Sequence, residues 1–343
     1  MSDAQEGDVA TSIKDVARAA GVSTATVSRA LRGLANVDPA TRARVARVAA
    51  ELDYVISPSA SRLASGRTGS VAVVTPDIAR WFFSTVLSGI EAVFQQAAMD
   101  VLLLGCSETD GSMLSARLRR RVDAVIVVGL PLGDPRLQEI LALELPTSIV
   151  GTSLPGVASA VIDDVVAGRT ATQHLINLGH ERIGIISGEP DHAPDTVGYD
   201  RLQGYREAMA QAGLAVDPHL EAYGSFTITG GEQAMTVLLT QPTPPTAVFA
   251  MSDEMAFGAM KALRHHGLHP GADVSLIGVD GHDMADYLEL TTVEQPAVEL
   301  GRLAAEAVLV QLASGEPGEA VQLPTHLVVR RSTGPRRSAE RPE

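Results

Sequence analysis

From Gly69 onward, continuous apolar runs alternate with helical stretches, and this alternation constrains the fold more than any other feature of the sequence. SVAVVTPDI, DVLLLGC, AVIVVGL and PTSIVGT read as short buried strands, with Phe83–Gln96, Leu114–Arg121 and a third helix between them. Strands without a polar alternation are covered on both faces, which implies a parallel sheet flanked by helices. The pattern then repeats. Helix Val166–Leu178, strand ERIGIISG, helix Arg201–Ala212, strand HLEAYGS, helix Gly230–Leu239, strand PTAVFAM, helix Met255–Gly267 and strand VSLIGVD follow in order. The long helix Val298–Ser314 and the strand VQLPTHLVVR close the series. Two such series predict an α/β core, 69–334, of two parallel-sheet subdomains: about 69–165 plus 298–330, and 166–297. Ligands sit at the carboxyl ends of strands in sheets of this kind, so two sheets facing each other place a ligand in the cleft between them.

The segment before Gly69 follows different rules. In SIKDVARAAGVSTATVSRALR, Ile13, Val16, Ala17 and Ala20 form one helical stripe, and Val27, Ala30 and Leu31 form another. Gly21 supplies the sharp turn, Val22 plugs the corner and Ser23 is a good cap for a second helix beginning at Thr24. A third helix opens with Asp38 as cap and Pro39 in the first helical position, and its apolar stripe is Val45, Val48, Ala49 and Leu52. A helix, a glycine turn and a second short helix make a helix-turn-helix, although a bare pattern like this also suits an ordinary helical hairpin. Charge favours the first reading. Nine Lys/Arg against four Asp/Glu between Ser12 and Thr68 make a basic island in a chain whose net charge is −14, as a phosphate-backbone contact requires. The headpiece is thus expected over 12–54, a hinge over 55–68, and disordered tails over 1–11 and 335–343. Ser57-Pro58 can open a hinge helix of only two turns, too short to be stable alone, so it is expected to order on binding.

Composition narrows the function classes. The single cysteine, Cys106, permits no intramolecular disulfide and suits a reducing cytoplasm. No segment approaches the ~18 apolar residues of a membrane span, and MSDAQEGDVATS is unlike a signal peptide. No G-x-S-x-G, phosphate-binding Gly-rich loop with Lys-Ser/Thr, or H-E-x-x-H is present, so the chain is read as no enzyme and as needing no cofactor. His265, His266 and His269 could hold a metal, but HHGLH at a helix end suits a C-terminal dipole partner and loop better.

SIKDVARAAGVSTATVSRAL, NVDPATRARV and LDYVISPSASRLASGRTGSVAVVTPDI resemble the amino-terminal region of the lactose/galactose-repressor family of bacterial transcription factors. The resemblance continues through GHERIGIISG, DRLQGYREAM, MSDEMAFGAMKALRHHG, VSLIGVDGHD and LVVRRSTGP. It implies an all-α helix-turn-helix headpiece plus a periplasmic-binding-protein-like α/β core, and a cytoplasmic, homodimeric repressor acting on pseudo-palindromic operator DNA. It puts Thr24, Ala25 and Arg29 at base-contacting positions and Leu63 at the hinge wedge that kinks the minor groove. Arg29 suits guanine and the Ala25 methyl suits thymine, while Ser23, Thr26, Ser28, Asn36 and Thr41 are better placed for phosphates.

The effector implied is a small molecule, a sugar or sugar derivative, which needs carboxylates, amides and guanidinium for its hydroxyls and aromatic faces for its C–H surface. By resemblance, Arg201 and Asp280 fall where the family binds effector, Phe83 and Phe226 where it stacks aromatic groups, and Ser252 at a less constant polar contact. Trp81 is a pocket candidate or a cover over the cleft mouth, and Asp163 is a further candidate. Asp195 lies near a position that is basic in purine-responsive relatives, which argues against a purine. Replacing Arg201 or Asp280 by Ala is expected to abolish the ligand response and leave folding intact. Without the family, a surface ion pair would account for both residues, and a solute-binding protein with no DNA role is the alternative function.

Overall fold

The computed structural model describes residues 11–31, 36–54, 67–106, 113–188 and 196–336. It divides into two compact units, Met1–Gly69 and Ser70–Glu343. Leu63, most of the expected hinge, both expected tails except their inner residues, and Asp195 lie outside the described residues. Among the described residues, no helix is long and apolar enough to cross a membrane.

Among the described residues, the first unit shows three helices, α1 (Ile13–Ala20), α2 (Thr24–Leu31) and α3 (Pro39–Glu51). Each start and stop has a local cause. The Asp15 carboxylate accepts the Ser12 amide at 3.1 Å, satisfying a donor that a helix start leaves free. Gly21 ends α1 in the left-handed region at φ 64°, which a side chain would disfavour. Ser23 Oγ accepts the Thr26 amide at 3.1 Å, and the Asp38 carboxylate accepts the Ala40 and Thr41 amides at 3.2 and 2.9 Å. Val16, Ala17, Ala20, Val27, Ala30, Val37, Val45, Val48 and Ala49 form one small core, with Val22 packed at its edge.

The second unit holds two six-stranded sheets. The first comprises β1 (Ser70–Thr75), β2 (Asp100–Gly105), β3 (Ala124–Val128), β4 (Thr147–Val150), β5 (Ala158–Ile162) and β11 (Ala320–Leu323), in the spatial order β11-β5-β4-β3-β1-β2, all parallel. The second comprises β6 (Ile183–Ser187), β7 (Glu221–Tyr223), β8 (Ala247–Ala250), β9 (Ser275–Asp280), β10 (Thr291–Glu294) and β12 (His326–Val328). Its order is β12-β10-β9-β8-β6-β7, parallel except that β12 runs antiparallel to β10. The helices are α4 (Trp81–Gln96), α5 (Leu114–Leu118), α6 (Pro135–Leu141), α7 (Asp164–Asn177), α8 (Val197–Gln211), α9 (Ile228–Leu239), α10 (Asp253–His265), α11 (Met284–Tyr287) and α12 (Ala297–Ser314).

Several expectations change. The last apolar stretch is not one strand: it breaks at Pro324, which donates no ladder hydrogen bond, and its halves join different sheets. Residues 326–328 therefore belong with the second sheet, not with 298–323. Strands β5 and β10 were not expected, because ASAVI and TTVE are too small or polar to read as apolar runs. Helix α8 starts four residues before Arg201, capped by Thr196, whose side chain accepts the Tyr199 amide at 3.1 Å. Arg201 thus sits in the second turn and not at the first helical position expected, where the helix dipole would disfavour a cation.

Candidate effector cleft and DNA-reading face

In the first unit, Val27 and Ala30 turn α2 onto the core, and Thr24, Ala25 and Arg29 are exposed on its outer face. Ser23 and Asn36 are exposed, while Thr26, Ser28 and Thr41 are half-buried. The Thr26 hydroxyl is paired with that of Ser23 at 2.9 Å. The eight expected DNA-contacting residues of this unit that are described thus split into an exposed triplet on one helix face and a polar set flanking it.

In the second unit, a cavity of about 520 Å³ lies at the carboxyl ends of strands from both sheets. Pro76, Gly129, Gly151 and Ile162 bring the first sheet to it, and Ser252, Asp280 and Gln295 bring the second. This is the position that sheet topology assigns to a ligand. Of the residues singled out from the sequence, Phe83, Arg201, Phe226, Ser252 and Asp280 line the cavity together.

Arg201 is 3% exposed. Its Nε donates to Asp164 Oδ1 at 2.8 Å, its Nη1 donates to the Met251 carbonyl, and Asp280 Oδ1 lies 3.8 Å from Nη1. A surface ion pair does not describe it. The pairing depends on how closely α7 and α8 approach: a Cβ on Gly168 would fall 2.2 Å from the Arg201 carbonyl oxygen, and one on Gly204 2.1 Å from that of Val165. Backbone-to-backbone contact carries the first turn of α7, with Asp164, against Arg201. Burial raises the Asp164 carboxyl above its ordinary value, and Arg201 opposes the shift.

Asp280 ends β9 with φ 138°, a conformation that costs a residue with a Cβ of order 1–3 kcal/mol and persists only where surroundings enforce it. Asp253 does so. Its carboxylate accepts the Gly281 and His282 amides at 2.9 and 2.8 Å and the Thr292 hydroxyl at 2.7 Å. Asp253 is fully buried, and burial together with the neighbouring Asp280 pushes its carboxyl up to about 7. Gln295 Nε2 donates to Asp280 Oδ1 at 2.7 Å.

The two phenylalanines come from opposite subdomains and each rests on a glycine. A Cβ on Gly129 would meet the Phe83 ring at 2.5 Å, and one on Gly188 the Phe226 ring at 1.8 Å. Phe226 and its neighbour Ser225 take φ 51° and 50°, so a strained turn sets this wall of the cleft. Ser252 caps α10, its Oγ accepting the Met255 amide at 3.3 Å.

Two candidates are placed elsewhere. Asp163 does not line the cavity; it caps α7 and its Oδ1 accepts the Val166 amide at 2.8 Å, while the next residue, Asp164, faces Arg201. Trp81 is absent from the described cavity lining and lies across the cleft edge, its ring stacked on His282 at 4.9 Å and its Nε1 donating to Asp283 at 3.3 Å. It is the cover rather than the wall. The histidines after α10 are also spread: His265 is 3.6 Å from Glu232, His266 Nδ1 meets the Ala262 carbonyl at 2.9 Å, and His269 pairs with Asp273 at 3.3 Å.

Arg80, Asp134, Arg136, Asp164, Glu254 and Gln295 also lie on the cavity wall, and none of them is singled out by the sequence. Arg136 is held by Asp134 and by the Cys106 carbonyl at 2.5 Å. The one available signal was adjacency: Asp164 follows the candidate Asp163, and Arg80 precedes the candidate Trp81. Gln295 has no local signature.

A helix-turn-helix unit followed by a two-subdomain α/β core with a cleft at the strand ends defines a DNA-binding transcriptional regulator with a ligand-binding core. Comparison with known proteins agrees. Residues 12–57 match the lacI family of bacterial regulatory proteins, and residues 172–333 match the periplasmic binding protein-like domain. The chain is 35% identical over 341 residues to the HTH-type transcriptional repressor CytR of Escherichia coli K12, covering 96% of this chain and 98% of the relative. It is 37% identical over 332 residues to the HTH-type transcriptional regulator CelR of Thermobifida fusca, covering 92% and 96%. Among solved structures, a lac repressor dimer bound to operator and the anti-inducer ONPF superposes with a TM-score of 0.81 at 28% identity, over 95% of this chain and 100% of that one. A CelR–cellobiose complex superposes at 0.70 with 34% identity, over 94% and 99%. The chain belongs to the lacI family of bacterial transcriptional regulators and is not an enzyme.

Proposed function

We propose that the protein is a cytoplasmic, homodimeric repressor that binds a pseudo-palindromic operator and releases or gains it when a sugar enters the cleft. The observation that carries the effector half is the cleft itself: two aromatic rings from opposite subdomains with Arg201, Asp280, Ser252 and Gln295 around a cavity of about 520 Å³. Rings cover the C–H faces of a sugar, and the buried guanidinium and carboxylate pair with its hydroxyls. The CelR relative was solved with cellobiose and an Enterococcus faecium family member with ribose, which supports the same ligand class here.

On DNA, Thr24, Ala25 and Arg29 read base edges in the major groove; Ser23, Thr26, Ser28, Asn36 and Thr41 contact the backbone. Leu63 serves as the minor-groove wedge. One such headpiece spans few base pairs, so two are needed on one site. Control is a population shift: the sugar favours one relative placement of the two subdomains, and an operator-affinity change of about 10²-fold corresponds to about 2.8 kcal/mol of coupling. A thermal-shift screen of sugars and sugar phosphates against the purified protein, repeated with operator DNA, tests this. Stabilisation by a sugar with a reciprocal change in operator affinity supports the proposal. A ligand that stabilises the protein without altering operator affinity refutes the coupling.

A further inference from the structure

Three arginines and four carboxylates line the described cavity: Arg80, Arg136 and Arg201 with Asp134, Asp164, Glu254 and Asp280. Arg136 and Arg201 are held by carboxylate and carbonyl acceptors. Arg80 is not. Its guanidinium lies over the Phe83 and Phe226 rings, 5.2 and 5.0 Å from their centroids, and rings attract a cation without accepting its N–H groups in the way an oxygen does. Its Nε is buried without a hydrogen-bond partner. The nearest carboxylate oxygen, Glu254 Oε2, is 3.8 Å away, beyond hydrogen-bond range. Arg80 is the N-cap residue of α4 and makes no side-chain cap there, and a cation at that end is unfavourable to the helix dipole. Helix stability does not explain it.

Arg80 and Glu254 come from opposite subdomains, with side chains 26% and 18% exposed. Burial moves both pKa values toward the neutral form, Arg80 down and Glu254 up, each only partly restored by the other. The buried Arg80 Nε and the half-buried Glu254 carboxylate, facing each other just outside bonding range, are matched by a group that accepts from one and donates to the other.

We infer that Arg80 and Glu254 together read sugar hydroxyls across the cleft, and that this pair selects uncharged sugars over sugar acids and sugar phosphates. This rests on the reading of the cleft as a sugar site. A hydroxyl accepts from Arg80 and donates to Glu254, satisfying both. A carboxylate or phosphate accepts from Arg80, has no proton for Glu254, and adds negative charge to a wall where carboxylates already outnumber arginines. Because the pair spans the two subdomains, a hydroxyl between them also ties the subdomains together.

Trp81 provides the readout, as the only tryptophan and a contact across the cleft edge. The full chain is titrated with D-ribose, D-glucose and cellobiose, and with ribose 5-phosphate, glucose 6-phosphate, glucuronate and cellobionate, following Trp81 fluorescence with calorimetry as a second measure. The expected result is saturable binding of at least one uncharged sugar and binding at least about tenfold weaker for its charged counterpart. Arg80→Gln and Glu254→Gln each weaken the uncharged sugar by about tenfold, and Glu254→Gln narrows the gap to the anion because the repelling charge is gone. Should Arg80→Gln fail to fold, the isosteric Glu254→Gln carries the test alone. A charged sugar that binds as tightly as its uncharged parent, or variants within about twofold of the parent chain, overturns the inference. No titration by any of the seven compounds in the parent chain overturns the sugar reading itself, and this inference with it.

Discussion

Removing the Arg201 side-chain charge, as in Arg201→Met, should unfold the effector unit more easily, and the loss should depend on pH. Arg201 is buried, bonded to Asp164 at 2.8 Å and to the Met251 carbonyl, and faces Asp280 at 3.8 Å. Taking one partner from a buried ion pair leaves the other charge uncompensated, at a cost of about 3–5 kcal/mol. The carboxyls can escape part of that cost by taking up protons. Burial already raises both Asp164 and Asp280 in the parent, and Arg201 is what opposes the rise. Without it, the folded state holds protons that the unfolded state has released. A group whose pKa is higher folded than unfolded stabilises at low pH and loses that contribution as pH rises through the folded value. Each carboxyl protonated only in the folded state therefore lowers stability by about 1.4 kcal/mol per pH unit of increase. Urea unfolding followed by Trp81 fluorescence, at pH 5.5 and pH 8, measures this directly. The variant should lose about 3–5 kcal/mol at pH 8 and distinctly less at pH 5.5, and adding Asp164→Asn should recover part of the loss. A loss under about 1 kcal/mol that is the same at both pH values would refute the buried-network account and restore the simpler expectation that only the ligand response suffers.

Three further outcomes follow from the geometry. Arg29→Ala should cost about 1–3 kcal/mol on the operator and relax the preference for one guanine per half-site; equal losses on specific and random DNA, measured by fluorescence anisotropy, would make Arg29 a phosphate contact only. Gly188→Ala should displace the Phe226 ring, 1.8 Å from the new methyl, and weaken sugar binding with little change in melting temperature, whereas unchanged sugar affinity would remove Phe226 from the site. His180 joins Thr246, Ser275 and the Gly334 carbonyl at 2.9, 2.9 and 3.0 Å, and burial lowers its pKa below the ordinary 6.5. The unfolded chain then binds the extra proton first, so this contribution is full above pH about 6.5 and falls as pH drops below it. In His180→Asn, the part of the acid-side decline in melting temperature owed to this residue should vanish; an unchanged decline would assign it elsewhere.

The headpiece was legible because its signals are local: Ser23 and Asp38 cap helices where hydroxyl and carboxylate before an apolar stripe predict, and Gly21 turns where only glycine is comfortable. The parallel sheets were legible from uninterrupted Val, Ile and Leu. Strand β5, ASAVI, and β10, TTVE, were not, because their burial comes from neighbours rather than from their own hydrophobicity. Pro324 marked a break that the run of apolar residues around it concealed. At the cleft, Arg201 and Asp280 stood out through the family resemblance, but their partners did not. Whether Asp163 or Asp164 faces Arg201 depends on a helix starting one residue earlier or later, and on two glycines, Gly168 and Gly204, that let α7 and α8 touch. Arg80 and Glu254 meet only because strands from two sheets end at one cleft, a juxtaposition with no trace in sequence spacing.

The proposed function requires one chain to read DNA and a sugar and to couple the two. Selection of the full chain against a random duplex library, followed by affinity measurement on the selected site at fixed salt with and without the sugar that shifts Trp81 fluorescence, tests it most directly. The expected result is enrichment of a pseudo-palindrome and a change in its affinity of about 10²-fold when the sugar is added. Enrichment of no symmetric site, or an operator affinity that saturating sugar leaves unchanged, would contradict it.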